Sequence, residues 1–417
     1  RTISFTTFPP VRKALVKGVT IDDKVEKIMA KNPITVPDDL SVDEMIRVVR
    51  QKVHDSGRLR GDKIDQVIIT DPQNRVVDVV EFYELFYKRE VQYRRICVVG
   101  TGHVGLTLLV VLADLGYEVT GFDISKEHVE RLNRGEIGFY EKGLEPLLKF
   151  HLREKTARFI TSLENNAADV YIICVGTPVH DTTNKPINDA VIKAAEDIGR
   201  NLKSNDVVIL RSTVSVGATR KIVMPILEKE SGLKAGRDFY LAFAPERVVE
   251  GNALEEIKNI PQVIGGINKQ SVQEAAKILQ TISPLVVTLD SLEEAELVKL
   301  VNNTYRDHSF AFSNQIVLLC DRLKLDAVKL IKAATEGYPR NPVPLPSPGV
   351  GGYCLTKDPY LMAEVARDHG ISPDLFIQSR TINNAMPEFV STKIQEFIEN
   401  KLKKESNQKG WRNQLGR

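Results

Sequence analysis

The sequence has few of the features that build metal sites, disulfide scaffolds or membrane spans. Its 4 cysteines have neither paired nor metal-ligand spacing and its 7 histidines form no cluster, so we expect no metal and a reducing, cytoplasmic setting. The most apolar stretch, Val104 to Leu112, is far shorter than the ~20 residues that span a bilayer. A net charge of +2 gives no electrostatic reason to bind nucleic acid or an anionic membrane. With 42% hydrophobic and 27% charged residues, the chain has the composition of a soluble globular protein. Its 417 residues predict about two to three domains.

Residues 1–90 are expected to form a small α+β segment. The stretch 64–82, IDQVIITDPQNRVVDVVEF, alternates about an Asp-Pro turn as a hairpin does. Together with the preceding helical pattern it resembles one CBS repeat, with the frayed end of another at Arg12 to Gly18. That resemblance implies an adenine-nucleotide site. However, Asp78 stands where relatives carry glycine, and EFYEL (81–85) lacks the ribose-gripping pair, so a structural module is favoured over a sensor.

A glycine-rich turn follows at RRICVVGTGHVGL (94–106). A buried strand runs into the glycines of GTGHVG and then into an apolar helix, and an acidic residue ends the next strand, EVTGFD. This is the dinucleotide fingerprint, in which the glycines allow a tight turn, a close approach to pyrophosphate and close helix–strand packing. No arginine stands at 124 or 125, so NAD is favoured over NADP. The predicted cofactor residues are Gly100, Gly102, His103, Val104, Gly105, Asp123, Thr177 and Thr213, with His103 a spacer rather than a catalyst.

Further strand-like segments alternate with helical patterns up to residue 266, which predicts a doubly wound parallel α/β sheet over 94–289. Because such folds place their chemistry at strand ends, three polar positions stand out: Thr177, Ser212-Thr213, and Glu246 with Glu250. Taken one at a time, each is more often a turn or cap residue than a site, but their shared placement after strands favours a site at all three.

A long helical pattern over residues 292–323 opens an all-helical central domain, 290–402. Its apolar residues lie on several faces, which indicates burial between domains or subunits. Lys299 and Asn303 lie one turn apart on one face, where they could donate to an oxyanion. The alternative is a lysine that reaches solvent beside an incidental asparagine.

The loop PGVGGYCLTKDPY (348–360) sets Cys354 after two glycines and before Lys357 and Asp358. Glycines admit a ligand close to the backbone, and a nearby ammonium lowers a thiol pKa, so the loop suits a nucleophilic sulfur. A turn with a buried cysteine is the alternative. Arg340, in the proline-rich approach to the loop, is either a phosphate contact or a solvated arginine. The segment 403–417 is polar and aperiodic, and is expected to be a mobile tail.

In combination, these motifs resemble the nucleotide-sugar dehydrogenase family, the UDP-glucose and UDP-N-acetylhexosamine 6-dehydrogenases. The motifs that carry the resemblance are GTGHVG (100–105), YEKGL (140–144), CVGTP (174–178), RSTVSVGAT (211–219), APERVVEGNALEE (244–256), ELVKLVNNTYR (296–306) and GVGGYCLTKD (349–358).

The resemblance implies NAD-dependent, four-electron oxidation of the C6 alcohol of a UDP-sugar to the uronic acid. It makes Cys354 the site of a thiohemiacetal and a thioester, with Lys299 and Asn303 at the oxyanion. It makes Glu250 a base, with Asp358 and Thr213 holding the hydrolytic water. The residues it assigns to substrate are Glu246, Glu250, Lys299, Asn303, Arg340, Gly351 and Lys357.

The resemblance favours UDP-GlcNAc or UDP-ManNAc over UDP-glucose, although Lys357 is typical of the glucose branch. It also implies a homodimer through residues 292–323. The family's C-terminal UDP-binding domain is not found before Trp411, and the chain starts at Arg1, so a fragment of a longer chain is expected. Two alternatives stay open: an NAD-binding but incomplete or CBS-regulated scaffold, and a two-electron hydroxyacid dehydrogenase.

Overall fold

A computed structural model describes most of the chain. The described residues are 34–40, 42–55, 66–81, 94–163, 168–180, 182–183, 185–338, 340, 342–352 and 354–414. The chain divides into two compact units, Arg1–Arg94 and Arg95–Arg417.

The described part of the first unit is a three-stranded sheet with one helix. Strand β1 (Thr35–Pro37) pairs in parallel with β2 (Gln66–Thr70), which pairs antiparallel with β3 (Val76–Glu81). Helix α1 (Val42–Asp55) contributes Met45 and Val49 to a small apolar core. The predicted hairpin is therefore present. The partial repeat at residues 12–18 lies outside the described residues.

The second unit is built on an eight-stranded sheet of order β11-β10-β9-β8-β7-β4-β5-β6. Its strands are β4 (Ile96–Val99), β5 (Val119–Phe122), β6 (Ala157–Ile160), β7 (Val170–Ile173), β8 (Val207–Leu210), β9 (Tyr240–Phe243), β10 (Gln262–Gly266) and β11 (Val286–Leu289). The sheet is parallel from β6 to β9, whereas β10 pairs antiparallel with β9. The central strands β4, β7 and β8 are buried throughout, as in a sheet covered on both faces.

Helices cover this sheet and then form a separate layer. Those of the sheet region are α2 (His103–Asp114), α3 (Lys126–Asn133), α4 (Leu144–Arg153), α5 (Asp189–Gly199), a π-helical turn (Thr219–Val223) leading into α6 (Met224–Ser231), α7 (Ala253–Asn259) and α8 (Lys269–Ile282). The helical layer holds α9 (Leu292–Leu323), α10 (Ala327–Thr335), α11 (Asp358–Asp368) and α12 (Asp374–Gln414). This confirms the predicted fold class, a Rossmann-type sheet followed by an all-helical region.

Three details differ from the sequence-based expectation. The sheet is mixed rather than wholly parallel, because β10 reverses direction. Strand β11 was not predicted, although its sequence VVTL is rich in β-branched residues; its four residues are intermediate or exposed in the structure. Residues 403–414 continue α12 instead of forming a separate tail, because their Lys, Glu and Gln are good helix formers that extend an existing helix cheaply.

Among the described residues, no helix combines the length and apolar character needed to cross a bilayer. Within the same residues, no group of three or more His, Cys, Asp or Glu side chains is arranged to hold a metal ion.

Candidate active site

The turn between β4 and α2 carries the three glycines of the fingerprint. A Cβ on Gly105 would lie 1.9 Å from the carbonyl oxygen of Gly100, so only glycine allows the helix to pack this closely. Gly100 has φ +89°, in the left-handed region. A Cβ on Gly102, in contrast, would meet no protein atom within 4 Å. Packing therefore explains Gly100 and Gly105, whereas Gly102 lines an open space at the N-terminus of α2, where a pyrophosphate fits.

Asp123 ends β5 beside this turn. Its Oδ2 accepts hydrogen bonds from the backbone N–H of Thr101 at 2.9 Å and from the Thr101 hydroxyl at 3.1 Å. Its Oδ1 accepts from the N–H of Ser125 at 3.1 Å. A carboxylate has about four lone-pair sites, so Asp123 retains capacity for a ribose hydroxyl while its charge would repel a ribose phosphate. The site therefore suits NAD rather than NADP.

The ends of β7 and β8 meet, as parallel neighbouring strands require. The Thr177 hydroxyl donates to the carbonyl oxygen of Thr213 at 2.6 Å, and the Ser212 hydroxyl donates to that of Val175 at 2.7 Å. Two of the three predicted polar positions, Thr177 and Ser212-Thr213, thus lie together at the carboxyl edge of the sheet, next to the glycine-rich turn.

Glu246, the third position, is a buried carboxylate that is paired with Arg211. The Arg211 guanidinium contacts the Glu246 carboxylate and also donates to Gln262 Oε1 at 3.1 Å. Burial opposes the charge on Glu246, but Arg211 outweighs it, and the net effect is a lowered pKa. The backbone N–H of Arg247 also donates to this carboxylate at 2.8 Å. Glu246 is thus a fixed anion that is unsuited to take up protons.

Helix α9 brings Lys299 and Asn303 to the same region. It begins with a capping box at Ser291 and Glu294, which sets its starting point. Both side chains are 8% exposed. Lys299 donates to the backbone carbonyl of Glu246, and Asn303 Nδ2 donates to Asp358 Oδ2 at 2.5 Å. The alternative of a lysine reaching solvent is therefore wrong, because its ammonium is buried against the loop after β9.

The loop that carries Cys354 completes this group of candidate site residues. Cys354 is exposed, and Gly351 and Gly352 before it have open space where a Cβ would lie. Desolvation raises the pKa of the Cys354 thiol, with Asp358 and Glu250 also raising it and Lys299 and Lys357 lowering it. The thiol therefore experiences two positive and two negative charges. The expectation that a neighbouring ammonium lowers this pKa holds for the two lysines but not for the net direction.

Of the two carboxylates that act on the Cys354 thiol, Glu250 is the exposed one. It lies between Val249, whose N–H donates to Glu256 Oε2 at 2.8 Å, and Gly251, whose N–H donates to Glu141 Oε2 at 2.8 Å. The backbone on both sides is thus held by carboxylates while the side chain itself is accessible.

Residues 94–283 match the NAD-binding domain of the UDP-glucose/GDP-mannose dehydrogenase family, and residues 293–385 match its central domain. A UDP-N-acetyl-D-mannosamine dehydrogenase of Methanococcus maripaludis is 34% identical over 305 residues, 72% of this chain and 67% of that relative. The chain belongs to this family. It is an NAD-dependent nucleotide-sugar dehydrogenase.

Solved structures agree with this assignment. A UDP-D-ManNAc dehydrogenase from Pyrococcus horikoshii is 32% identical with a TM-score of 0.69, covering 73% of this chain and 72% of that one. A UDP-glucose dehydrogenase from Pyrobaculum islandicum is 28% identical with a TM-score of 0.68, covering 75% and 72%. A 3-hydroxyisobutyrate dehydrogenase from Mycobacterium tuberculosis, 16% identical with a TM-score of 0.50 over 72% of this chain and 94% of that one, shares the fold alone.

Some predicted site residues of the dehydrogenase lie differently from the expectation. Lys357 is 3% exposed, and its ammonium donates to Asp358 Oδ1 at 2.7 Å, so it neutralises this carboxylate. Asp358 is fully buried between Lys357 and Asn303, which leaves it no surface on which to hold a water. Arg340 is exposed, with its guanidinium 5.2 Å from the ring centre of Tyr338.

The two remaining cofactor candidates of the dehydrogenase open α2. Val104 is half-buried, and His103 Nε2 lies 3.1 Å from Glu141 Oε2. Glu141 and Arg211 were missed as site residues, although both lie in motifs that the sequence analysis quotes, YEKGL and RSTVSVGAT. An arginine directly after a buried strand was the signal for Arg211, since only a buried partner explains a charge there.

Proposed function

We propose that this dehydrogenase oxidises the C6 primary alcohol of UDP-N-acetyl-D-mannosamine to the carboxylate, through a Cys354 thiohemiacetal and thioester. One observation carries the proposal: Asn303 Nδ2 donates to Asp358 Oδ2 of the cysteine loop at 2.5 Å, while Lys299 on the same helix contacts the loop after β9. The sugar is taken from relatives that are named for it in Methanococcus maripaludis and Pyrococcus horikoshii, at 34% and 33% identity.

NAD would be held by the glycine-rich turn and Asp123 and would accept the hydride, so that the two oxidations consume two molecules of NAD in succession. In the first, the alcohol loses a hydride and a proton and becomes an aldehyde. The Cys354 thiolate then adds to the aldehyde carbon, and the resulting oxyanion accepts hydrogen bonds from Lys299 and Asn303. An ammonium has three donors, so the contact of Lys299 with the Glu246 carbonyl leaves donors for this oxygen.

Loss of a second hydride turns the thiohemiacetal into a thioester, which water cleaves to the carboxylate and the free thiol. Glu250 is the base for this water, because it is the accessible carboxylate near the sulfur. Thr213 lies at the strand end beside the cofactor turn and orients the water or the nicotinamide. Asp358 instead holds Asn303 and Lys357 in place.

Counting NADH formed per UDP-sugar consumed tests this function, with UDP-ManNAc, UDP-GlcNAc and UDP-glucose assayed in parallel. We expect two NADH per UDP-ManNAc and a uronic acid product. Cys354→Ser should form no acid, because a serine hydroxyl stays un-ionised at neutral pH and is a far poorer nucleophile than a thiolate. Cys320→Ser is the matched control, since this cysteine is buried in α9.

One NADH per turnover with Cys354→Ser still active would instead support a two-electron hydroxyacid dehydrogenase. NAD binding without NADH from any UDP-sugar would support the scaffold alternative. UDP-glucose is the second candidate substrate, favoured by Lys357 directly before Asp358 and by the Pyrobaculum islandicum relative.

The proposal also covers the oligomeric state of the enzyme, its cellular location and a further ligand. A homodimer through α9 is supported by large apolar side chains that this helix exposes, namely Val301, Tyr305, Phe312, Leu319 and Leu323. Light scattering of the protein and of Phe312→Glu tests it, with a shift to monomer expected. A cytoplasmic location is supported by four free cysteines. An adenine nucleotide on residues 1–90 is proposed from the resemblance to a CBS repeat, and titration with ATP and AMP tests it.

A further inference from the structure

Glu141 is a buried carboxylate outside the set of residues assigned to the reaction. It is 4% exposed, and three groups from two separate segments of the chain converge on it. His103 Nε2 lies 3.1 Å from its Oε2, and the N–H of Gly251 donates to the same oxygen at 2.8 Å. The N–H of Leu254 donates to Oε1 at 3.4 Å.

These partners belong to two parts of the site, the cofactor turn and the chain segment around Glu250, whose relative position must be fixed. His103 directly follows Gly102, the glycine that lines the open space, and is the first residue of α2. Its ring also packs edge-on against Phe139, with centroids 4.7 Å apart. Gly251 directly follows Glu250 and has φ +87°, which lets the chain turn there. Glu141 therefore joins the cofactor turn to the backbone that presents Glu250.

We propose that Glu141 is a positioning residue that holds Glu250 beside the Cys354 thiol, at a fixed place relative to the bound dinucleotide. This inference rests on the proposed role of Glu250. Glu256 holds the other side of Glu250 through the N–H of Val249, and within the described part of the chain it makes no hydrogen bond to the cofactor turn. Glu141 is therefore the residue through which the cofactor turn and the base are kept together.

The test measures the pKa of Cys354 itself, from the pH dependence of its alkylation by iodoacetamide, followed by mass spectrometry. The charged groups acting on this thiol are Glu250 and Asp358, which raise its pKa, and Lys299 and Lys357, which lower it. Glu250→Gln should therefore lower the thiol pKa, because a negative charge that acts on the sulfur is removed. Glu141→Gln should reproduce at least half of that change, because Glu250 is then no longer held in place.

The double variant decides between positioning and an independent effect. If Glu141 acts through Glu250, then Glu141→Gln combined with Glu250→Gln should match Glu250→Gln alone. Additive changes, or no change in Glu141→Gln, would overturn the inference. Glu145→Gln is the matched control, because this carboxylate is half a turn into α4 and pairs with Lys149 on the surface.

A second variant covers the case in which Glu141→Gln does not fold. Glu141→Asp keeps the charge but shortens the reach, and a smaller change of the same sign is expected. Alkylation requires no sugar substrate, so its result stands apart from the NADH count. Failure of all UDP-sugars would count against the proposed function, whereas an unchanged thiol would count against Glu141.

Discussion

Removing the Arg211 guanidinium should destabilise the dehydrogenase more than most single substitutions. Its side chain is fully buried, and its partner Glu246 is 9% exposed, so Arg211→Met leaves a carboxylate with little access to water. Breaking a buried ion pair from one side costs about 3–5 kcal/mol, because the remaining charge is uncompensated. The backbone N–H of Arg247 still donates to Glu246, which places the expected cost near the lower figure.

The pH dependence of the loss identifies its cause. In the native protein the pKa of Glu246 is lowered, so its stabilising contribution is present above its unfolded pKa and is lost as pH falls. In Arg211→Met, burial alone remains and should raise the Glu246 pKa above its ordinary value. The deficit in stability should therefore be largest at pH 8 and shrink towards pH 5, where Glu246 can take up a proton.

Thermal unfolding of the native protein and the variant at pH 5, 6, 7 and 8 measures this. For a domain of this size, 3 kcal/mol corresponds to roughly 6–12 °C in Tm. Arg211→Met combined with Glu246→Gln is the control, and should recover most of the loss at pH 8 because no buried charge is left. A loss below about 1 kcal/mol, or one that is equal at pH 5 and pH 8, would refute the reasoning.

Two further substitutions test the fold and the cofactor turn. Burial raises the pKa of Asp206 to about 6, so its ionised form destabilises the folded state as pH rises from about 4 to 6. Asp206→Asn should therefore stabilise the protein at pH 8 by up to about 3 kcal/mol, and the gain should vanish near pH 4; a pH-independent gain, or none, would contradict this. Gly102→Ala should leave Tm unchanged, since its methyl meets no protein atom, but should weaken NAD binding at least ~10-fold by crowding the pyrophosphate. Gly105→Ala is its control and should lower Tm, because its methyl would lie 1.9 Å from a carbonyl oxygen; equal Tm losses would contradict the assignment.

The sequence predicted the local structure best at positions where a residue type can be explained by a single physical requirement. The glycines of the cofactor turn predicted its close packing, and the helical pattern over residues 292–323 predicted a helix with the bounds of α9. Such features depend on local geometry, which is written in the neighbouring sequence.

What the sequence did not reveal depends on contacts between distant segments. The reversal of β10 results from pairing with β9, and no local signal sets its direction. The net rise in the Cys354 pKa depends on how far the fold withdraws the thiol from water. The pairing of Asp358 with Lys357 and Asn303 removed it from the surface, although its position in the motif suggested a contact with water.

The 32-residue helix α9 is fastened to the sheet region close to its first turn. Glu293 pairs with Arg220, and Glu296 accepts from the N–H groups of Gly217 and Thr219 at 2.5 and 2.8 Å. Such a rod is about 48 Å long, so a 5° tilt about this fastening would displace its far end by roughly 3–4 Å. Lys299, less than one turn from the fastening, would move by only about 0.4 Å. Disturbances at the distant end, including contact with another protein, would thus barely reach the ammonium that faces the thiol.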